Sequence, residues 1–391
     1  MPSLDSSVYL DNAATTRMPD EILESLYFHL DKNFGNANTK YKLGSFAHDF
    51  LEASRQTIAE LIGARREQIF FTSGATESNN WVFMNALHHM RATGKNKVLC
   101  SSIEHESVIE PLRHLERLQL IEVESVEVNT EGLVEVDTLR SHLDERVGLV
   151  SIIHANNELG TIQDIQTLAR MCHENESHFH SDCVQSVGHI PLDVRELDLD
   201  FMSASAHKFH GPKGVGFLYV KDPRSLVPMM HGGGQEQGMR SGTQNVPYIV
   251  AMAEALQWSL EQEKSFTEDF ETWQNYLFSY LSSQLDGCTI TGSQKSRLNH
   301  LASFVIDGVD TETLLVLLDQ AGICVSAGSA CSSGKLELSH VLRALGYDPS
   351  RARGALRISY SYLNTFDEIR YAAEEIVRAV KLCRNFSGTM E

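Results

Sequence analysis

The chain has 391 residues, carries 33 Lys and Arg against 52 Asp and Glu for a formal net charge of −19, and is 42% hydrophobic. The acidity opposes the phosphate attraction behind nonspecific nucleic-acid binding, and the apolar content excludes bulk disorder, so nucleic acid is not an expected partner. No apolar run approaches the ~18 residues that span a bilayer, and MPSLDSSVYLDNAATTR has no basic residue before Arg17, unlike a secretory or transit leader; no membrane association and a cytoplasmic setting are expected.

In chain order, Glu67–Thr72 reads as a strand, Glu77–Arg91 as a helix, Lys97–Ser101 as a strand and His105–Leu118 as a helix. Val147–His154 (VGLVSIIH) reads as a fully buried strand, Ile165–Glu174 as a helix, and Ser177–Asp182, Leu199–Ser203 and Val215–Val220 as further strands before a turn at Gly232–Gly234. This alternation predicts βαβ units in a mostly parallel sheet with helices on both faces. From Val246 to Leu285 the pattern becomes one long helix, which places a domain boundary there. The remainder reads strand (Ala302–Ile306), helix (Glu312–Gln320), strand (Ile323–Ser326), helix (His340–Leu345), strand (Leu356–Ser359) and helix (Asp367–Cys383), a smaller α+β unit. The expected division is 14–258 for the large domain and 259–391 with 1–13 for the small one.

Seven cysteines without a CxxC pair fit neither a disulfide framework nor a thiolate zinc site. His88, His89, His178 and His180 lack a carboxylate or thiolate at ligand spacing, so they are expected at the surface or in caps, and no metal is expected. Cys172, Cys324 and Cys383 sit in apolar patterns and read as inert core residues, with Cys183 as packing. Cys331 differs: Ser326–Gly334 (SAGSACSSG) has no large apolar residue to anchor it, which predicts an exposed, mobile loop where a thiol is free to act as a nucleophile.

Three local signals share one chemistry. In FTSGATESNN (Phe71–Asn80) a strand leads into a helix, Gly74 permits a tight turn, and the amides of Ala75 and Thr76 offer either a phosphate cradle or a helix start capped by Ser73 or Thr76. In FHSDCVQSVG (Phe179–Gly188), Asp182 ends a strand, either facing a cationic group or capping a helix. In SASAHKFHGPKG (Ser203–Gly214), Lys208 lies just past the next strand end. A lysine for a Schiff base, a carboxylate for a ring nitrogen and a phosphate cradle are what pyridoxal phosphate requires.

These motifs, with YLDNAATT (Tyr9–Thr16), SSIEHESV (Ser101–Val108), HANNELG (His154–Gly160), MHGGGQEQGMRSGT (Met230–Thr243), SAGSACSSG and LRISY (Leu356–Tyr360), occur in order over nearly the whole chain. Together they resemble cysteine desulfurases of the NifS/IscS type, among the class V aminotransferase-like enzymes. The resemblance implies a fold-type-I pyridoxal enzyme, with a mainly parallel seven-stranded central sheet and a smaller α+β domain. It further implies that Lys208 carries the cofactor, Asp182 pairs with the ring nitrogen, Gln185 and Asn157 bond the ring hydroxyl, and His105 stacks on the ring. Ala75, Thr76, Ser205 and His207 would bind the phosphate, with Thr243 supplied by the second subunit of a homodimer. Arg357, with Asn36 and Asn157, would hold the carboxylate of L-cysteine, and Lys208, His105 and Cys331 would carry catalysis, leaving sulfur on Cys331 and releasing alanine. A sulfur acceptor such as an iron–sulfur scaffold protein is then expected.

Two features depart from the resemblance. Asn36-Ala37-Asn38 lacks the proline common after the first Asn, and the chain ends RNFSGTME, without the longer tail some relatives use to dock a scaffold. A selenocysteine lyase or an aminotransferase on the same scaffold are the alternatives; from another class, a sulfur-carrier or redox protein would use Cys331 without pyridoxal phosphate.

Overall fold

A computed structural model describes residues 7–327 and 339–388. It begins with β1 (Val8–Tyr9), α1 (Asp20–Lys32) and α2 (Lys42–Leu61), then alternates β2 (Ile69–Thr72), α3 (Ala75–Thr93), β3 (Lys97–Ser101), α4 (Glu106–Arg117), β4 (Glu122–Val126), α5 (Val136–His142), β5 (Val147–Ser151) and α6 (Ile165–Glu174). β6 (His178–Asp182), β7 (Phe201–Ser205) and β8 (Gly216–Val220) complete a seven-stranded sheet of order β2-β8-β7-β6-β5-β3-β4. β8 runs antiparallel to both β2 and β7, and the remaining pairs are parallel.

Except for the edge strand β4, the strands are buried on both faces, as parallel strands between helical layers must be. Leu51, Ile58, Leu168, Val250 and Leu256 from α2, α6 and the 39-residue α7 (Val246–Gln284) pack on one face. Trp81, Phe83, Val108 and Leu112 from α3 and α4 pack on the other.

Beyond α7 lie β9 (Cys288–Ile290), β10 (Leu301–Ile306), α8 (Thr311–Gln320), β11 (Ile323–Cys324), α9 (His340–Ala344), α10 (Pro349–Ala352), β12 (Ala355–Ser359) and α11 (Phe366–Gly388). β9, β10 and β12 form a three-stranded antiparallel sheet of order β12-β10-β9. A separate core joins Leu10 to Phe270, Leu277, Leu314, Ile358 and Ile376. α7, about 58 Å long at 1.5 Å per residue, contributes its first half to the sheet core and its second half to this one.

The sequence did not announce α1, α2, β4 or α5. The predicted strand Val147–His154 ends at Ser151; Ile152 and His154 still donate backbone bonds to His180 and Asp182, so the chain stays buried and apolar while leaving strand geometry for the site. Cys172 and Cys383 are buried, whereas Cys324 is only half-buried on the short β11. His180 is a correction: it lies fully buried on a central strand, its ring nitrogens bonded to Ser151 Oγ at 2.8 Å and Ser203 Oγ at 3.1 Å. The small hydroxyl neighbours make room for the ring and satisfy both nitrogens, as a buried polar group requires.

Candidate active site

The parallel strands end on one edge, and the residues after them gather there. Lys208 closes a single 3-10 turn, Ala206–Lys208, directly after β7, and its carbonyl accepts from His189 Nε2 at 2.8 Å. Its Nζ donates to the carbonyls of Ala13 at 2.7 Å and Ala14 at 2.8 Å. Burial, reinforced by Arg357 and opposed by Asp11 and Asp182, brings its pKa down to about 8.

Asp182, at the end of β6, is 3% exposed. Its Oδ1 accepts from Val184 N at 3.0 Å and its Oδ2 from Asn79 Nδ2 at 2.9 Å. The same Asn79 amide reaches Ser107 Oγ at 2.9 Å, and Ser107 meets His105 Nδ1 through its hydroxyl at 2.8 Å and its backbone N–H at 3.1 Å. His105 thus N-caps α4 with its ring exposed. Gln185 Nε2 donates to Ala13 O at 2.9 Å, sharing an acceptor with Lys208. Behind them, His154 Nδ1 bonds Ser186 Oγ at 2.9 Å, and burial holds its pKa down to about 4. Cys183 is fully buried, and burial pushes its thiol up to about 12, which suits packing rather than nucleophilic attack.

At the start of α3 neither Ser73 nor Thr76 caps the helix. Gly74 is the N-cap, at φ +148°, and no side chain caps the helix. Ala75 and Thr76 fall in the first turn, whose amides lack intrahelical acceptors. A Cβ on Gly74 would come to 3.3 Å from Ser205 Oγ, so the end of β7 closes on this turn. His207 sits beside it with Nδ1 3.2 Å from Thr15 Oγ1; burial, then Lys208 and Lys213, bring its pKa down to about 4 and keep the ring neutral. Burial would raise Glu77, but the bonds from Arg240 and Ser73 outweigh it and hold the carboxylate below its usual range. The Arg240 bonds, 2.7 and 3.0 Å long, fasten the loop of residues 230–243 to α3.

Arg357 on β12 is 2% exposed, with Nη1 donating to Asn157 O at 2.8 Å and Nη2 to Asp11 Oδ1 at 2.7 Å. Lys208, Asp182, Gln185, Asn157, Ser205, His207, Ala75, His105 and Arg357 are therefore linked by contacts or close approach. Among the described residues, no hydrogen bond joins Asn36 or Thr243 to this group. Asn36 Oδ1 accepts from Asn38 N at 2.9 Å, and exposed Thr243 lines a shallow cavity with His231, Gly233 and Ser241. Cys331 lies outside the described residues. Asp11, Asn79 and the carbonyls of Ala13 and Ala14 were not singled out from the sequence, although all lie inside quoted motifs.

The residues fit pyridoxal phosphate: a lysine amine of reduced basicity, a buried carboxylate for a ring nitrogen, and an uncapped helix start beside a buried serine. Among the described residues no cluster of three or more His, Cys, Asp or Glu is arranged to hold a metal ion, and no helix is long and apolar enough to cross a membrane.

The class-V aminotransferase family matches residues 8–371. A cysteine desulfurase IscS of Dictyoglomus turgidum is 38% identical over 380 residues, covering 97% of this chain and 96% of that protein. The IscS of Vibrio campbellii is 40% identical over 385 residues, covering 97% and 94%. A solved NifS-like protein superposes with a TM-score of 0.90 at 36% identity, covering 96% of this chain and all of that one.

Proposed function

Because the chain belongs to the class-V aminotransferase family, alongside its cysteine desulfurases, we propose that it converts L-cysteine to L-alanine with pyridoxal phosphate and leaves the sulfur on its own Cys331. The observation that carries this reading is that Lys208 and Asp182, at the strand ends of the seven-stranded sheet, lie with Arg357 of β12 within electrostatic reach of one another, an amine with a carboxylate for a ring nitrogen and a guanidinium suited to a substrate carboxylate.

Bound through Lys208, pyridoxal phosphate supplies an electron sink for negative charge developing at the substrate Cα. In this reading the amides of Ala75 and Thr76, with Ser205 and His207, hold its phosphate, helped by Thr243 of a second subunit. Asp182, fixed by Asn79 and Val184, keeps the ring nitrogen protonated; Gln185 and Asn157 bond the ring hydroxyl, and His105 covers one face. Arg357 clamps the substrate carboxylate bidentately, with Asn36 and Asn157 beside it. Lys208, near pKa 8, takes and returns protons at Cα, a service worth about 10²–10⁴-fold in rate. The Cys331 thiolate attacks the substrate sulfur: the S–S bond forms, the Cβ–S bond breaks, and the electron pair left on carbon is protonated to give alanine.

The cofactor-binding unit is taken as residues 14–258 and the cysteine-bearing unit as 259–391 with 1–13. A homodimer, a cytoplasmic setting with reduced thiols, and delivery of the sulfur to an acceptor protein, such as an iron–sulfur scaffold, complete the proposal. Incubation with L-cysteine and a reductant tests it: alanine and sulfide should appear in equal amounts, and pyruvate or no sulfide would contradict it. Light scattering should find a dimer, and a fully active monomer would remove Thr243 from the site.

A further inference from the structure

Two residues beyond the cofactor group tie the start of α9 to the segments that follow β3 and β5. Ser339 Oγ donates to Glu158 Oε2 at 2.6 Å while accepting from Leu342 N at 3.1 Å as the N-cap of α9. The next residue, His340, donates through Nε2 to the carbonyl of Glu104 at 2.8 Å. Glu158 stands one residue after Asn157, and Glu104 one residue before His105.

The anchor points are rigid. Asn156 spans the two loops, its Nδ2 donating to Ile103 O at 2.9 Å and its Oδ1 accepting from the backbone N–H of Glu158, also at 2.9 Å. Glu104 Oε1 accepts from Ser101 Oγ at 2.5 Å and Ile153 N at 2.7 Å. Beneath the pair, Ile103, Ile153 and Leu159 from the segments that follow β3 and β5 pack on Val341, Leu342 and Leu345. Ser339 and Glu158 are 7% and 5% exposed. A hydrogen bond buried this deeply is costly to leave half-made.

Resting on the reading above, we infer that Glu158 and Ser339 are positioning residues for sulfur transfer: their bond fixes the chain end that follows the cysteine-bearing segment against the loops carrying Asn157 and His105. Neither residue is among those assigned to hold the cofactor or the substrate carboxylate. Losing the bond therefore separates the sulfur-transfer step from substrate binding. Burial raises the Glu158 pKa, with Ser339, His340 and Arg357 opposing the rise; the bond survives in either protonation state because a carboxyl oxygen accepts in both.

The test uses the cofactor-loaded full chain and follows, in one mixing experiment, the visible spectral change on adding L-cysteine and the growth of persulfide on Cys331. In Glu158→Met and Ser339→Ala the dissociation constant from the spectral change should stay at the wild-type value, while persulfide formation slows by about 10- to 100-fold, the scale on which misplaced reacting groups lose rate. Glu158→Gln, which keeps an oxygen to accept from Ser339, should return the rate close to wild type. If Glu158→Met does not fold into a coloured protein, Ser339→Ala decides alone. Wild-type persulfide rates in Ser339→Ala, or binding and transfer weakened equally, would overturn the inference. A wild-type protein that binds cysteine but never carries sulfur on Cys331 would overturn instead the reading on which it rests.

Discussion

A lysine of ordinary basicity is almost fully protonated at neutral pH and reacts slowly with an aldehyde, whereas Lys208, at about 8, leaves a usable fraction neutral. The loading rate of cofactor-free protein with pyridoxal phosphate should accordingly rise with pH up to about 8 and level off above it. Because Arg357 pushes the pKa down and Asp11 pushes it up, Arg357→Gln should move the profile to higher pH and Asp11→Asn to lower pH, as read from absorbance against time. An unchanged midpoint in both variants would mean that burial alone sets the lysine. Asp182→Ala should cost at least about a hundredfold in turnover, the scale of a lost proton-transfer advantage; near-normal kcat would show that another group meets the ring nitrogen. Lys208 and Asp182 were legible in the sequence because one follows and the other ends a recognisable strand. Asp11 and Asn79 were not: their partners Arg357 and Asp182 lie 346 and 103 residues away along the chain, and only tertiary structure creates those pairs.

Elements also need fastening, and the loop after β8 is held by ions. Arg55 on α2 gives Nη1 and Nη2 to the two carboxylate oxygens of Glu236 at 2.7 and 2.9 Å, and its guanidinium lies 4.4 Å from the Phe71 ring centre. Glu236 also accepts from Phe71 N at 3.0 Å. The pair holds two successive non-glycine residues in left-handed backbone, Glu236 at φ +47° and Gln237 at φ +58°, a conformation that persists only when its surroundings impose it. Arg55→Met strands a buried carboxylate and should cost about 3–5 kcal/mol in chemical denaturation, while truncating exposed Arg195, paired with Asp193 on the surface, should leave the midpoint unchanged. Equal effects would show the buried pair to be no more than a surface one. Apart from β4 and α5, the helix and strand order from β2 to β8 was readable from apolar periodicity, as was α7, found at Val246–Gln284. α1 escaped because much of its apolar content faces outward, with Tyr27 71% and Leu30 50% exposed. β4 escaped because only Val126 of its five residues is buried.

For the whole molecule, acid should be the weakness. His154, His189 and His210 are held near 4, His180 near 3 and His300 well below 6.5, chiefly by burial. Unfolding returns each to its ordinary value of about 6.5. At these rings the unfolded chain therefore binds more protons between about pH 4 and 6.5, so their contribution to stability is full above 6.5 and falls as pH drops through that window. His173, raised by Asp200 and Asp198, and Glu104 and Glu158, raised by burial, have the opposite sign, but His29, His178 and His207 are lowered as well, so among the described residues the depressed rings outnumber them. Thermal unfolding midpoints should decline steadily from pH 6.5 toward 4; a flat profile would mean that the buried rings find protons without unfolding.

All of these scales serve one claim, that a fixed amine, carboxylate and guanidinium deliver the sulfur of cysteine to the thiol of Cys331. Mass mapping of peptides after brief treatment with L-cysteine, in the wild type and in Cys331→Ala, tests it directly. The wild type should carry one extra sulfur atom on the peptide containing Cys331, removable by reductant. Cys331→Ala should keep the cofactor colour and the cysteine-induced spectral change yet carry no added sulfur. Added sulfur on Cys183 or Cys324, or sulfide released from Cys331→Ala at the wild-type rate, would contradict the account.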